Sequence, residues 1–152
     1  MIIFKSGQLN KKEQLEISIL LDELIDEYSD FYLTRDNIRL YIKDNKDILF
    51  DSLQKGNYIA YTQNGIAIVD GYADNAKRKY VKILSKDIKL TDKLLTIINA
   101  NIKDILFCKL KKKNPIIEVF KNNGFKFKGN RGLEILLTKE NKYGNTNKQT
   151  KN

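Results

Sequence analysis

"KKKNPIIEVFKNNGF", residues 111–125, holds the only proline in a chain of 152 residues and ends on an Asn-Asn-Gly-Phe stop. Asn114 has the side chain of a helix N-cap, and Pro115 behind it suits the first helical position, where a missing N–H costs nothing. Ile116, Val119 and Phe120 fall on one helical face. Asn123 and Gly124 then end the turn, since glycine accepts the left-handed conformation that helix ends commonly need. The stretch predicts a short amphipathic helix. Just before it, "DILFCKL" (104–110) reads as a buried strand, so the Asn-Pro pair turns the chain from strand to helix within a few residues.

Upstream, Leu90, Leu94, Leu95, Ile98 and Ile102 recur at helical spacing. Before them the period is two: "NYIAYT" (57–62) and "GIAIVDGYAD" (65–74) flank Gln63, Asn64 and Gly65, a hairpin signal, and "KRKYVKIL" (77–84) follows a turn at 74–76. Three strands joined this closely predict an antiparallel meander. Nearer the N-terminus, Asn10 with Glu13 three residues on forms a capping box for a helix carrying Ile17, Leu20, Leu21, Leu24, Ile25 and Tyr28. A second helical pattern starts at Thr34 and runs to Gly56, with Asn45 as a point of division, and "MIIFKSG" (1–7) reads as a first strand. Downstream, "FKFKGNRGLEILLTK" (125–139) reads as two strands about "GNRG". The whole predicts one α/β (α+β) domain over residues 1–138, a mixed, mostly antiparallel sheet flanked by about four helices. Residues 139–152 form a basic tail without apolar content, expected to be disordered.

Composition narrows the chemistry. There is no histidine and one cysteine, Cys108. An internal disulfide and an imidazole base are therefore excluded, and zinc or haem sites lose their commonest ligand. No apolar run reaches the roughly 18 residues of a membrane span, and the first residues do not read as a signal peptide, so a cytoplasmic setting is expected. Of the net charge of +9, residues 139–152 supply four Lys and one Glu, which leaves +6 on residues 1–138. Such a charge suits phosphate-bearing partners, coenzyme A or nucleic acid, and also serves plain solubility. The abundance of Lys, Asn and Ile fits AT-rich coding, as in a bacteriophage or an AT-rich bacterium, which would make the protein virion-associated in the first case.

The element order, with "NPIIEVFKNNGF" after an apolar strand, resembles the GCN5-related N-acetyltransferase (GNAT) superfamily across nearly all of residues 1–138. The resemblance implies acetyl coenzyme A held between strands 80–84 and 105–110, with an amine substrate approaching over the first two helices. Ile83 and Leu84 would then lie along the thioester arm, Lys86, Lys89 and Thr91 in the turn around the diphosphate, and Asn114 beside the coenzyme. Where the family has Arg or Gln, two residues, Gly, one residue and Gly or Ala, this chain has Lys86, Asp87, Ile88, Lys89, Leu90 and Thr91. Both glycines are replaced, and Asp87 would repel phosphate. Where many members carry a proton-donating tyrosine, this chain has Phe120, which has no proton to give; it reads as a core residue. For a general base the candidates are Asp70 and then Asp74, with Tyr72 and Tyr80 nearby.

Two readings stay open. One is a scaffold of this type with a degenerate coenzyme site, serving as a binding or structural component in a protein assembly. The other is an acetyl-CoA-dependent N-acetyltransferase. The lost glycines, the absent tyrosine and an asparagine displaced by one position weigh toward the scaffold. Lys109 and Lys111–Lys113 cluster at a strand end where an adenosine phosphate or a nucleic acid backbone could lie. Cys108, among Ile105, Leu106 and Phe107, reads as a small buried hydrophobe.

Overall fold

The structure is a computed structural model, and it describes residues 1–6, 9–28, 58–70 and 79–140. Among these are seven strands and three helices. Strand β1 (Ile3–Ser6) leads to helix α1 (Lys11–Tyr28), then come β2 (Tyr58–Thr62), β3 (Gly65–Asp70) and β4 (Lys79–Ser85). Helix α2 (Ile88–Asn101) crosses to β5 (Leu106–Lys111), and helix α3 (Ile117–Asn122) precedes β6 (Lys126–Arg131) and β7 (Glu134–Lys139). The expected helical segment 34–56 and most of the tail lie outside the described residues, as do Tyr72 and Asp74.

The strands form one mixed sheet in the order β1-β2-β3-β4-β5-β7-β6. All neighbours are antiparallel except β4 and β5, the pair that α2 connects by a crossover. The expected meander is β2-β3-β4, and its first turn is Gln63 and Asn64, closed by the pair Thr62 with Gly65. Alternation sorts the side chains onto two faces. Val81 and Ile83 of β4 pack with Leu94, Leu95 and Ile98 of α2 and with Val119 and Phe120 of α3. Leu84 joins Ile59, Ile66 and Ile68 under Ile17, Leu20, Leu21 and Leu24 of α1. Among the described residues, the stripes of α1, α2 and α3 thus bury against the faces of the sheet.

Local signals set the ends of these elements. The Asn10 side chain accepts the Glu13 N–H at 2.8 Å, while Glu13 Oε1 accepts the Asn10 N–H at 3.1 Å, a reciprocal capping box. Its other oxygen meets Lys5 Nζ at 2.8 Å and so ties α1 to β1. Two boundaries shift from expectation. Helix α3 starts two residues beyond Pro115, because Asn114 Oδ1 accepts the Ile116 N–H and the Asn114 carbonyl accepts the Ile117 N–H, a tighter turn than an α-helix makes. In the last hairpin, Lys128 is the extra residue of a bulge between Phe127 and Gly129, and the reversal falls at Gly132 and Leu133, where Gly132 has φ +66°.

Candidate functional site

Strands β4 and β5 part almost as soon as they meet. Their parallel pairing consists of Lys79 with Leu106 and Tyr80 with Phe107. Beyond this apex, residues 81–85 of β4 still pair with β3, and 108–111 of β5 still pair with β7. In a strand successive peptide groups point to alternate sides, so each of these segments turns part of its N–H and C=O groups into the gap. A wedge between two diverging strands, lined with unpaired peptide groups, is suited to hold an extended amide-bearing chain as a strand partner would. The side chains of Ile83 and Leu84 go to opposite cores, leaving their backbone to the gap.

The apex has aromatic walls. Tyr80 is buried against Phe107 with ring centroids 5.7 Å apart, and Lys109 Nζ lies 5.3 Å from the Tyr80 centroid. By backbone register Asp70, the last residue of β3, stands opposite Tyr80, so the fold brings these two candidates together at the apex. Lys82 follows on the same face as Tyr80 and Leu84 and is fully buried, which nothing in its strand pattern announces. Cys108 is also fully buried. Burial pushes its thiol well above the ordinary range, with Lys82 opposing that shift and Glu134 adding to it. That is the setting of a packing residue, not of a thiolate nucleophile.

On the β5 side, α3 ends as "NNGF" implies. Gly124 has φ +94°; its N–H bonds the Lys121 carbonyl, and the Phe125 N–H reaches back to the Phe120 carbonyl at 3.1 Å. This is a Schellman motif, complete with its hydrophobic contact: Phe120 and Phe125 meet edge to face at 5.0 Å. Phe120 is fully buried and belongs to the core. The Asn114 side-chain oxygen is committed to opening α3, so it holds the turn that follows β5.

On the β4 side, α2 caps its own N-terminus. Asp87 Oδ1 accepts the Leu90 N–H at 2.8 Å, and the Asp87 carbonyl accepts the Thr91 N–H. Thr91 is buried, its hydroxyl 2.6 Å from Ser85 Oγ, and both hydroxyls lie within hydrogen-bond reach of the Asp87 carbonyl. The N–H groups of Ile88 and Lys89 keep the free state usual at a helix start. At this turn the helix N-terminus is capped by a carboxylate.

Lys86 and Lys89 are exposed and line a cleft of about 270 Å³ with Thr62, Asn64, Asp87, Leu90 and Lys93. The cleft is on the β2–β3 side of α2, away from β5. Asn64 was read only as a turn residue and Lys93 was not singled out, although Lys86, Lys89 and Lys93 have the spacing of a helical stripe. Among the described residues no group of His, Cys, Asp and Glu could hold a metal ion.

No family model and no curated protein matches the chain by sequence. Solved structures do match in shape. A GNAT-family acetyltransferase from Streptococcus agalactiae superposes with a TM-score of 0.58 at 15% identity, covering 91% of this chain and 95% of that one. An N-acetyltransferase from Staphylococcus aureus gives 0.57 at 15% identity over 92% and 97% of the two chains. The PaiA N-acetyltransferase from Thermoplasma acidophilum, solved in complex with coenzyme A, gives 0.57 at 15% identity over 92% and 99%. At such low identity the likeness speaks for shape alone, and that shape, over nine-tenths of the chain, is the GNAT acetyltransferase fold.

Proposed function

We propose that this protein binds an acyl thioester in the gap between β4 and β5 and transfers the acyl group to an amine. The observation that carries this reading is the separation of the two strands beyond Tyr80 and Phe107. A packed scaffold with no ligand to hold gains nothing from breaking a ladder at the centre of its sheet. Peptide N–H groups along the gap supply fixed dipoles for the thioester carbonyl oxygen, where negative charge develops during acyl transfer. We assign to Asp70, whose backbone stands opposite Tyr80, the role of taking the proton from the attacking amine. Phe120 protonates nothing, so the departing thiolate draws its proton from elsewhere.

One observation favours a second reading, a scaffold that has given up its coenzyme. Asp87 puts a carboxylate on the helix end where phosphate would rest. The scaffold would then serve as a binding or structural component. Thermal melting with acetyl coenzyme A separates the two. A ligand at about 100 times its dissociation constant stabilises a fold by about 2.7 kcal/mol, a readable rise in melting temperature. The enzyme reading expects that rise, together with amine-dependent release of free thiol. No rise at millimolar concentration leaves the scaffold.

A further inference from the structure

The two edges of the sheet are open and unlike. Among the described residues β1 and β6 are the outermost strands, each with one side unpaired. Beside β1 runs a groove of about 510 Å³, bounded by Ile3, Ile19, Leu20 and Tyr61 and rimmed by Glu16 and Glu23. Ile3 and Ile19 are exposed, as are both glutamates. Neither glutamate has an ion-pair partner among the described residues, where the pair found is Lys5 with Glu13. Beyond Lys11 and Lys12 every charge on α1 is negative: Glu13, Glu16, Asp22, Glu23, Asp26 and Glu27. Their field reaches the groove wall, since the Tyr61 pKa is raised first by burial and then by Glu13 and Glu16, with Lys5 opposing.

The opposite edge is basic. Strand β6 exposes Lys126, Lys128 and Arg131, and beside them stand two exposed apolar side chains, Phe127 and Leu133. Gly132 makes the reversal tight, so Leu133, 86% exposed, stands at the end of a narrow hairpin next to Arg131. One edge thus offers an apolar knob flanked by cations, the other an apolar groove flanked by carboxylates. Six strand spacings of about 4.8 Å lie between them, roughly 29 Å, so the tip does not reach the groove of its own chain.

We propose that the two edges dock on one another between copies of this chain, head to tail. Leu133 enters the groove beside Ile19, and Arg131 meets the carboxylates of Glu16 and Glu23. The charges select this pairing over the two symmetric ones: groove against groove brings carboxylates together, and tip against tip brings cations together. A contact between unlike patches leaves one of each free, so it extends into a ring or a filament. The inference holds whether or not the gap between β4 and β5 takes a thioester.

Sedimentation equilibrium of the full chain tests it, at about 1 mM protein so that a contact of this small, transient class is populated. Wild type is expected to show an average mass well above the 17.7 kDa of one chain, falling back as salt screens the charges. Glu16→Lys with Glu23→Lys should give single chains, and so should Arg131→Gln with Leu133→Ser. All four residues are exposed, so both variants should melt like wild type. Mixed in equal amounts, the two variants should form a one-to-one dimer and nothing larger, because the first keeps its tip and the second its groove. A wild type that sediments as single chains overturns the proposal, even where the groove accepts a free basic peptide of other origin. So does an assembly that survives either variant, or a mixture that stays monomeric.

Discussion

The last turn of α3 and the first turn of α2 end and start their helices by opposite means, a positive-φ glycine at one and side-chain caps at the other. At α3 the Gly-Phe stop is formed as read: Gly124 takes its positive φ, the Phe125 N–H returns to Phe120, and the two rings lock the stop. At α2 the glycines are gone, and Asp87, Thr91 and Ser85 close the turn with their own side chains. The α3 turn is a requirement of the fold, since it decides where β6 begins. The α2 turn has only to end a strand and start a helix, which an Asp N-cap does as well as a glycine-rich loop.

This contrast can be broken at either end. Phe120→Ala should have the largest effect, a loss of about 3–5 kcal/mol in denaturant unfolding, because a fully buried ring leaves a cavity beside Phe125. Phe120→Tyr sharpens the point. It buries a hydroxyl in an apolar cluster, with an expected cost of about 1–3 kcal/mol. A Phe120→Tyr variant as stable as wild type would mean that the cluster accommodates a phenol hydroxyl. Gly124→Ala, forced to φ +94°, should cost about 1–2 kcal/mol by the same measurement.

At the other end, Asp87→Ala should cost about 1 kcal/mol through loss of the N-cap, whereas Asp87→Asn keeps an acceptor for the Leu90 N–H and should melt near wild type. With its negative charge removed, Asp87→Asn is expected to bind acetyl coenzyme A more tightly. Weaker binding would show that the carboxylate serves the ligand and not the fold.

The smallest effect lies far from the gap. Hydrogen bonding to Lys5, with the Asn10 N–H second, lowers the Glu13 pKa, so its contribution is complete above the ordinary carboxylate value and fades as pH falls through the lowered one. Lys5, raised mainly by the same hydrogen bond, contributes below the ordinary lysine value and loses that contribution as pH rises through the raised one. The melting difference between wild type and Glu13→Gln should therefore be present at neutral pH and vanish in acid.

What the sequence discloses is what short-range chemistry decides. The capping box at Asn10 and Glu13, the turn at Gln63 and Asn64, and the stop at Gly124 each depend on residues within three or four positions, and each is found where it was read. Phe127 shows the limit. Its alternation with Phe125 predicts a shared burial, but β6 is an edge strand, and Phe127 is left 56% exposed while Phe125 is buried. The lysine cleft was hidden for a similar reason, because Asn64 and Lys93 are distant in sequence and meet only when the hairpin tip reaches α2. Asp87 was legible as a charge and not as a cap, since either role uses the same residue one position before a helix.

The two rungs that join β4 to β5 also have a mechanical meaning. They are the weakest seam in a sheet that otherwise zips along whole strands, and α2 spans it as a strap. Prying force or a nicked connector near residue 103 would act there first, separating a ribbon of β1 to β4 from one of β5 to β7. Across that short ladder the sheet is held by the core that β4, β5 and the two helices share.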